Sequence, residues 1–245
     1  MSDNRVYSYS AVLMGSPILL KLYSHDEALA SRVFQLIKRY EDLLTVNRAQ
    51  SQVMDINHAA GRHPVTVSRP VYQLIKCAKA ASMVRDSAFN LAIGPLVKLW
   101  RIGFQGHRVP SAADIAARLP LTRPQDVILD DEKQSVWLAQ AGMEIDLGAI
   151  AKGYIADRVR DYLGQQGIEQ ALINLGGNVH TLGEWAIGLK NPLPRRRNLL
   201  ARLPLAGSRL SLQAPMNAIS SRMANAGTIS SIRAAAIRWI TNSTA

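Results

Sequence analysis

Residues 144–158 read EIDLGAIAKGYIADR. The stretch leaves a strand over 143–147 and enters a helix through Asp146, Gly148 and Ala149, which puts Lys152 and Gly153 in the first turns. A helix N-terminus offers unpaired N–H groups and a partial positive charge, both suited to a phosphate. Lys152 adds a full charge beside it. Asp146 has two readings: it accepts hydrogen bonds from a nucleotide, or it caps the helix while Lys152 is solvated. The segment is not a Walker A loop, because the spaced glycines and the Lys-Ser/Thr pair are missing.

Working outward, the helix runs from Ala149 to Leu163 and is ended by Gly164 or Gly167. ALINL at 171–175, a Gly176-Gly177 turn and residues 178–182 form a strand pair. Upstream, 126–140 and 143–147 read as short strands separated by polar turns. Ser111 and Asp114 open a short helix stopped by Pro120, and Ser68 with Pro70 opens a longer one through Val71, Leu74, Ile75, Ala78 and Ala81. At the start, 6–23 alternates as two strands around Met14-Gly15-Ser16-Pro17. Ser24 and Glu27 make a capping box ahead of the apolar stripe Val33, Phe34, Ile37, Tyr40, Leu43 and Leu44. With no repeat and no regular βαβ alternation, the expected class is α+β, a single mixed domain of antiparallel strands and packed helices.

Apolar residues at 48% and charged residues at 19% exclude a disordered chain. No apolar run has spanning length, and the polar N-terminus lacks the order of a secretory signal. A lone Cys77 forbids an intrachain disulfide and suits a reducing compartment, so the expected location is the cytoplasm, with no membrane partner. The net charge of +11 is concentrated at one end: residues 192–245 carry eight Arg and no Lys, Asp or Glu. That tail has one aromatic residue, Trp239, whereas a nucleic-acid surface mixes Lys with Arg and interleaves aromatics, so no nucleic-acid partner is expected. His25, His58, His63, His107 and His180 are scattered, and His58 and His63 lack the same-face spacing of a metal pair.

Five stretches, in order, carry a resemblance. They are Met14-Gly15-Ser16, SQVMDIN at 51–57, FNLAIGPLVKLWRIG at 89–103, DLGAIAKGY at 146–154 and LINLGGN at 172–178. Together they resemble the FAD:protein FMN transferases, which attach FMN to other proteins. The resemblance implies that Met14 and Asn47 contact the flavin nucleotide and that the backbone around Trp100, Arg101 and Ile102 lines its pocket. It implies that Asp146 and Lys152 hold FAD and that the Ala149 carbonyl sits on Mg²⁺. The implied partner is a flavin-carrying subunit of a redox enzyme, with a Thr or Ser hydroxyl as acceptor. Core packing remains open for Met14 and Trp100, and turn-shaping for Gly176-Gly177. Asn90 stands where the family often has Asp, and Arg101 where it has Gly.

Beyond Pro192 the resemblance stops, which leaves an incomplete transferase domain at 1–191, without the C-terminal part of the family fold, and an Arg-rich tail at 192–245. The family continues with Ser-Gly-x-Tyr-Glu-Arg, a later His-Ile-Ile-Asp-Pro-x-Thr-Gly run and an Ala-Asp-Ala-x-Ala-Thr segment. Joining the third base of each codon to the first two of the next recovers part of this. Met216-Asn217 forces Glu, Met223-Ala224 forces Gly, and Gln213 to Ser220 permits Gly-x-Tyr-Glu-Arg-Tyr-Phe. Met223 to Ile240 permits a run containing His-His-Ile-Phe-Asp-Pro-Arg-Ser-Gly. This predicts a change of reading frame between residues 190 and 212. The nucleotide sequence checks it: third bases that spell these motifs are expected, and third bases that do not spell them sink the idea.

Overall fold

Alternation of the kind seen over 6–23 suits half-buried strands, and it forms two. These are β1 (Tyr7–Leu13) and β2 (Ser16–Leu22), paired antiparallel from Tyr7↔Leu22 to Leu13↔Ser16. The computed structural model describes residues 5–100, 109–190, 199–207 and 209–211. After the first hairpin come α1 (Glu27–Leu44), α2 (Gln52–His58), β3 (Val65–Thr66), α3 (Arg69–Met83), α4 (Gly94–Leu99) and α5 (Ala112–Arg118). Then follow β4 (Val127–Asp130), β5 (Ser135–Leu138), α6 (Gly148–Gln165), β6 (Ala171–Leu175) and β7 (Asn178–Leu182). The last are β8 (Glu184–Lys190), β9 (Leu199–Ala206) and β10 (Arg209–Ser211). Every strand pairing among the described residues is antiparallel, so the α+β expectation holds. The described residues form two compact units, one taking the chain up to Glu41 and from Ala151 onward, the other Asp42–Ile150.

The first unit is built on a five-stranded sheet of order β1-β2-β6-β7-β10, with β8 and β9 as a separate hairpin. Ile18, Leu20 and Leu22 of β2, Ile173 and Leu175 of β6, Val33 and Ile37 of α1, and Ile155, Val159 and Leu163 of α6 are at most 1% exposed. They supply most of the apolar burial that holds this unit together. The start of α1 differs from the expected Ser24–Glu27 box. The helix begins at Glu27, and the Asp26 carboxylate accepts from the Leu29 N–H at 2.7 Å. Ser24 lies too far upstream to reach that turn, whereas Asp26 is the flanking residue whose side chain can. Tyr9 holds Asp26 in place by accepting its N–H at 2.9 Å. At its far end α6 closes on Gly167, at φ +75, with Ile168 N–H on the Leu163 carbonyl and Gly167 N–H on the Gly164 carbonyl. That pair of bonds satisfies carbonyls a helix end otherwise leaves bare.

In the second unit a three-stranded sheet of order β3-β5-β4 accompanies α2 to α5. The expected strands over 126–140 are β4 and β5, and α5 stops before Pro120, followed by 3₁₀ turns at Leu119–Thr122 and Pro124–Asp126. Residues 143–147 do not form the expected strand. They alternate as one, with Met143, Ile145 and Leu147 at most 1% exposed, but no strand among the described residues pairs with them. The Asn57 carboxamide takes the partner's place: its Nδ2 donates to the Ile145 carbonyl at 3.0 Å and its Oδ1 accepts the Ile145 N–H at 2.8 Å. The next N–H, of Asp146, donates to the Leu91 carbonyl at 2.8 Å.

Asn57→Ala is expected to cost about 3 kcal/mol, from two lost bonds and two backbone groups left unpaired beside a fully buried Ile145. Urea unfolding checks it, with an unchanged midpoint as the contrary result. A second expectation concerns Tyr72, 4% exposed on α3, whose hydroxyl donates to Asp131 at 2.9 Å beside Lys76. Burial first, and the Asp131 hydrogen bond second, push its pKa up from 10.0 to about 12. The neutral phenol is favoured by folding, so its contribution is complete below pH 10.0 and lost as pH rises through about 12. Ultraviolet titration is expected to show a tyrosine ionising near pH 12 whose step is absent in Tyr72→Phe.

Candidate functional site

The expected site residues fall into two groups, one in each unit. In the first, Leu13 pairs with Ser16, so Met14 and Gly15 alone make the turn, at φ 54 and 65. Two consecutive left-handed residues are the signature of a type I′ hairpin, which asks for Asn or Gly. A methionine there costs ~1 kcal/mol or more of strain. Met14 is half-buried and outside the buried core, so core packing does not account for it. Strain at a non-glycine residue is a pointer to function.

A second tight turn lies beside it. Leu175 pairs with Asn178, leaving Gly176 and Gly177 at φ 60 and 95. Pairing of Ile18 with Leu175 brings the two turns to the same end of the sheet. Lys152, from α6, reaches this end and donates from Nζ to Ser16 Oγ at 3.0 Å. A Cβ added to Gly176 would lie 2.8 Å from the Ser16 Cβ and 3.0 Å from Lys152 Nζ. Gly176 therefore does more than shape a turn: it leaves room for the ammonium. Among the described residues no carboxylate lies within 4.0 Å of Lys152, although it is half-buried. Lysines 76, 98 and 133 each have one. A cation partly removed from water with a single hydroxyl as partner is suited to an anion.

In the second unit three of the five resembling stretches are joined. Asn57 clamps Ile145, Leu91 holds Asp146, and the Asp146 carboxylate accepts from the Gly148 N–H at 2.7 Å. Asp146 thus serves as the cap of α6, one of its two readings, and its other oxygen has no part in that bond. Ala149 is exposed on the first turn. Asn90 is 5% exposed, donates to the Thr122 carbonyl at 2.8 Å and accepts the Ala92 N–H at 2.9 Å. An ionised Asp has no proton for the first of these bonds, which explains an amide at this position. Gly94, the first residue of α4, meets the Glu144 backbone so closely that a Cβ would sit 2.8 Å from its carbonyl oxygen.

Trp100 packs on Ile93, Leu96 and Ile115 together with Leu119, so the core reading applies to its ring. Its indole N–H is buried with no hydrogen-bond partner among the described residues. Asn47 lies on the loop after α1 with an exposed side chain, its N–H on Thr45 Oγ1 at 3.1 Å. Arg101 and Ile102 lie outside the described residues. Ser16 carries no local signal of a site; its closeness to Lys152 arises across a separation of 136 positions that no local pattern displays.

A magnesium ion does not fit the described residues. The Ala149 carbonyl is one oxygen, and no group of three His, Cys, Asp or Glu side chains among them could hold a metal. No helix among the described residues is long and apolar enough to cross a membrane.

The ApbE family model matches residues 14–214. An FAD:protein FMN transferase of Klebsiella pneumoniae (strain 342) is 83% identical over 207 residues, 84% of this chain and 66% of that one. One from Treponema pallidum (strain Nichols) is 34% identical over 77% of this chain and 59% of its own. The crystal structure of the ApbE protein from Thermotoga maritima superposes with a TM-score of 0.74 at 29% identity, covering 84% of this chain and 69% of that one. The chain thus spans somewhat less than two thirds of the curated relatives it matches. With a family match over most of its length, this chain belongs to the ApbE family.

Proposed function

We propose that the chain derives from an FAD:protein FMN transferase and retains the part that holds the flavin nucleotide. Family membership supports the class of reaction, as does the name carried by the 83% identical Klebsiella relative. The observation that carries the reading is Lys152, a half-buried ammonium without a carboxylate among the described residues, at the end of the sheet where Met14 is strained. In this reading Met14, Asn47, Trp100, Arg101, Ile102, Asp146 and Lys152 take FAD. A target Thr or Ser hydroxyl attacks the FMN phosphorus; the bond to AMP breaks, the phosphoester to the protein forms, and the hydroxyl proton is released. Lys152 offsets charge on the phosphate oxygens. The intact enzyme would use Mg²⁺, with the Ala149 carbonyl as one ligand, and would modify a flavin-carrying redox subunit in the cytoplasm.

Transfer is expected to be impaired in this chain. The reading keeps a frame change between residues 190 and 212, and a family match that runs to residue 214 favours the late part of that interval. The tail beyond it lacks the His-Asp-Pro and Asp/Thr segments that the family resemblance calls for. A flavin binder without transfer is the second reading, favoured by the absence of a three-ligand metal group among the described residues.

The test compares this 245-residue chain with one whose gene is restored to the family phase. FAD is expected to bind both, flavinylation of a Thr-containing target to need Mg²⁺ and the restored chain, and Lys152→Met to weaken FAD binding by tenfold or more, on the order of one charge-assisted bond. Comparable transfer by both chains overturns the account of the tail; absence of FAD binding by both overturns the flavin reading.

A further inference from the structure

We propose that Ser16 is a second ligand for the anion that Lys152 takes, so that hydroxyl and ammonium form one two-donor clamp for a phosphate-type group. The inference rests on the flavin reading for the identity of the ligand and on the geometry alone for the clamp.

An ammonium has only protons to give. In the 3.0 Å contact between Lys152 Nζ and Ser16 Oγ the hydroxyl is therefore the acceptor. Its own single proton is then turned away from the ammonium and needs another acceptor. Among the described residues Ser16 Oγ donates to none. Two donors a hydrogen-bond length apart, both with unused protons, converge on one anionic group. The charge on the ammonium polarises the hydroxyl and strengthens its donation.

The backbone around the pair keeps it open. Ser16 is the first residue of β2, fixed by pairing with Leu13, while Lys152 sits on α6, whose buried face includes Ala151 and Ile155. Gly176, at φ +60, passes so close that any side chain would press on both members. A merely solvated lysine needs no glycine against its amine. Ser16 is thus a binding residue in its own right, and Gly176 is a positioning residue.

The test is FAD and inorganic pyrophosphate titration of the full chain and five variants, four single and one double. Ser16→Ala is expected to weaken FAD binding about tenfold, the worth of one charge-assisted hydrogen bond. Ser16→Thr, which keeps the hydroxyl, should restore binding to within about twofold, a rescue that loss of packing would not show. Adding Ser16→Ala to Lys152→Met should cost less than it does alone, because the ammonium orients the hydroxyl. Gly176→Ala should weaken both ligands. Equal binding by wild type and Ser16→Ala overturns the clamp while leaving the flavin reading intact, and so does equal weakening by Ala and Thr. Pyrophosphate binding that depends on Ser16, without FAD binding, keeps the clamp and overturns the flavin reading. Binding of neither ligand by wild type overturns both.

Discussion

The Asn57 carboxamide, bonded in both directions to the backbone of Ile145, is the constraint from which much of the second unit follows. Residues 143–147 are buried at alternate positions, yet no strand among the described residues satisfies their backbone. A buried extended segment without partners is costly, because each unpaired N–H or carbonyl forfeits its bonds to water. An amide side chain presents one donor and one acceptor in the spacing of a peptide group, so a single Asn does what a neighbouring strand would do. α2 carries that Asn and is itself fixed by Ser51, whose Oγ accepts the Met54 N–H and donates to the Thr45 carbonyl. The position of Ile145 then sets Asp146, and Asp146 caps the helix that begins at Gly148.

The stretch from Ser82 to Ala92 uses the same device. Ser82 Oγ donates to the Ala78 carbonyl and accepts the Leu91 N–H, and Asn90 bridges Thr122 and Ala92. Irregular chain is thereby buried without regular ladders. Substituting these residues by apolar ones of equal size keeps the volume and loses the backbone partners, which is why polar residues occupy a buried place.

How much of this was legible in the sequence depends on the range of the interaction that decides it. The β1–β2 hairpin, α3 and the glycine stop of α6 are written in local periodicity, caps and turn residues, and those expectations match the structure. The cap of α1 is Asp26, two residues past the Ser24 that the sequence points to, because both are good capping types and only the first helical residue distinguishes them. The strand expected at 143–147 had the right alternation; its missing partner could not be read, since Asn57 lies 88 positions away. The short helices α2 and α4 are too brief for periodicity to mark and were visible only as stretches resembling a family. At the site, Lys152 was readable from its place near a helix start, whereas Ser16 and Gly176 acquire meaning only once β2 and β6 pair.

The two units treat their polar groups differently, and the difference bears on function. In the second, Asn57, Ser82 and Asn90 meet donor with acceptor, which is the pattern of a scaffold. In the first, one end of the sheet combines a methionine in a left-handed turn, an ammonium with a hydroxyl in place of a carboxylate, and a glycine with no room for a side chain. Each lowers stability or leaves bonding capacity unused, and a sequence under pressure for stability alone would remove them: Asn for Met14, or an acid within reach of Lys152. Their coincidence at one end of a well-buried sheet is the observation on which the proposal of an anionic ligand rests, since a phosphate-type group would take up the bonding that the protein leaves open.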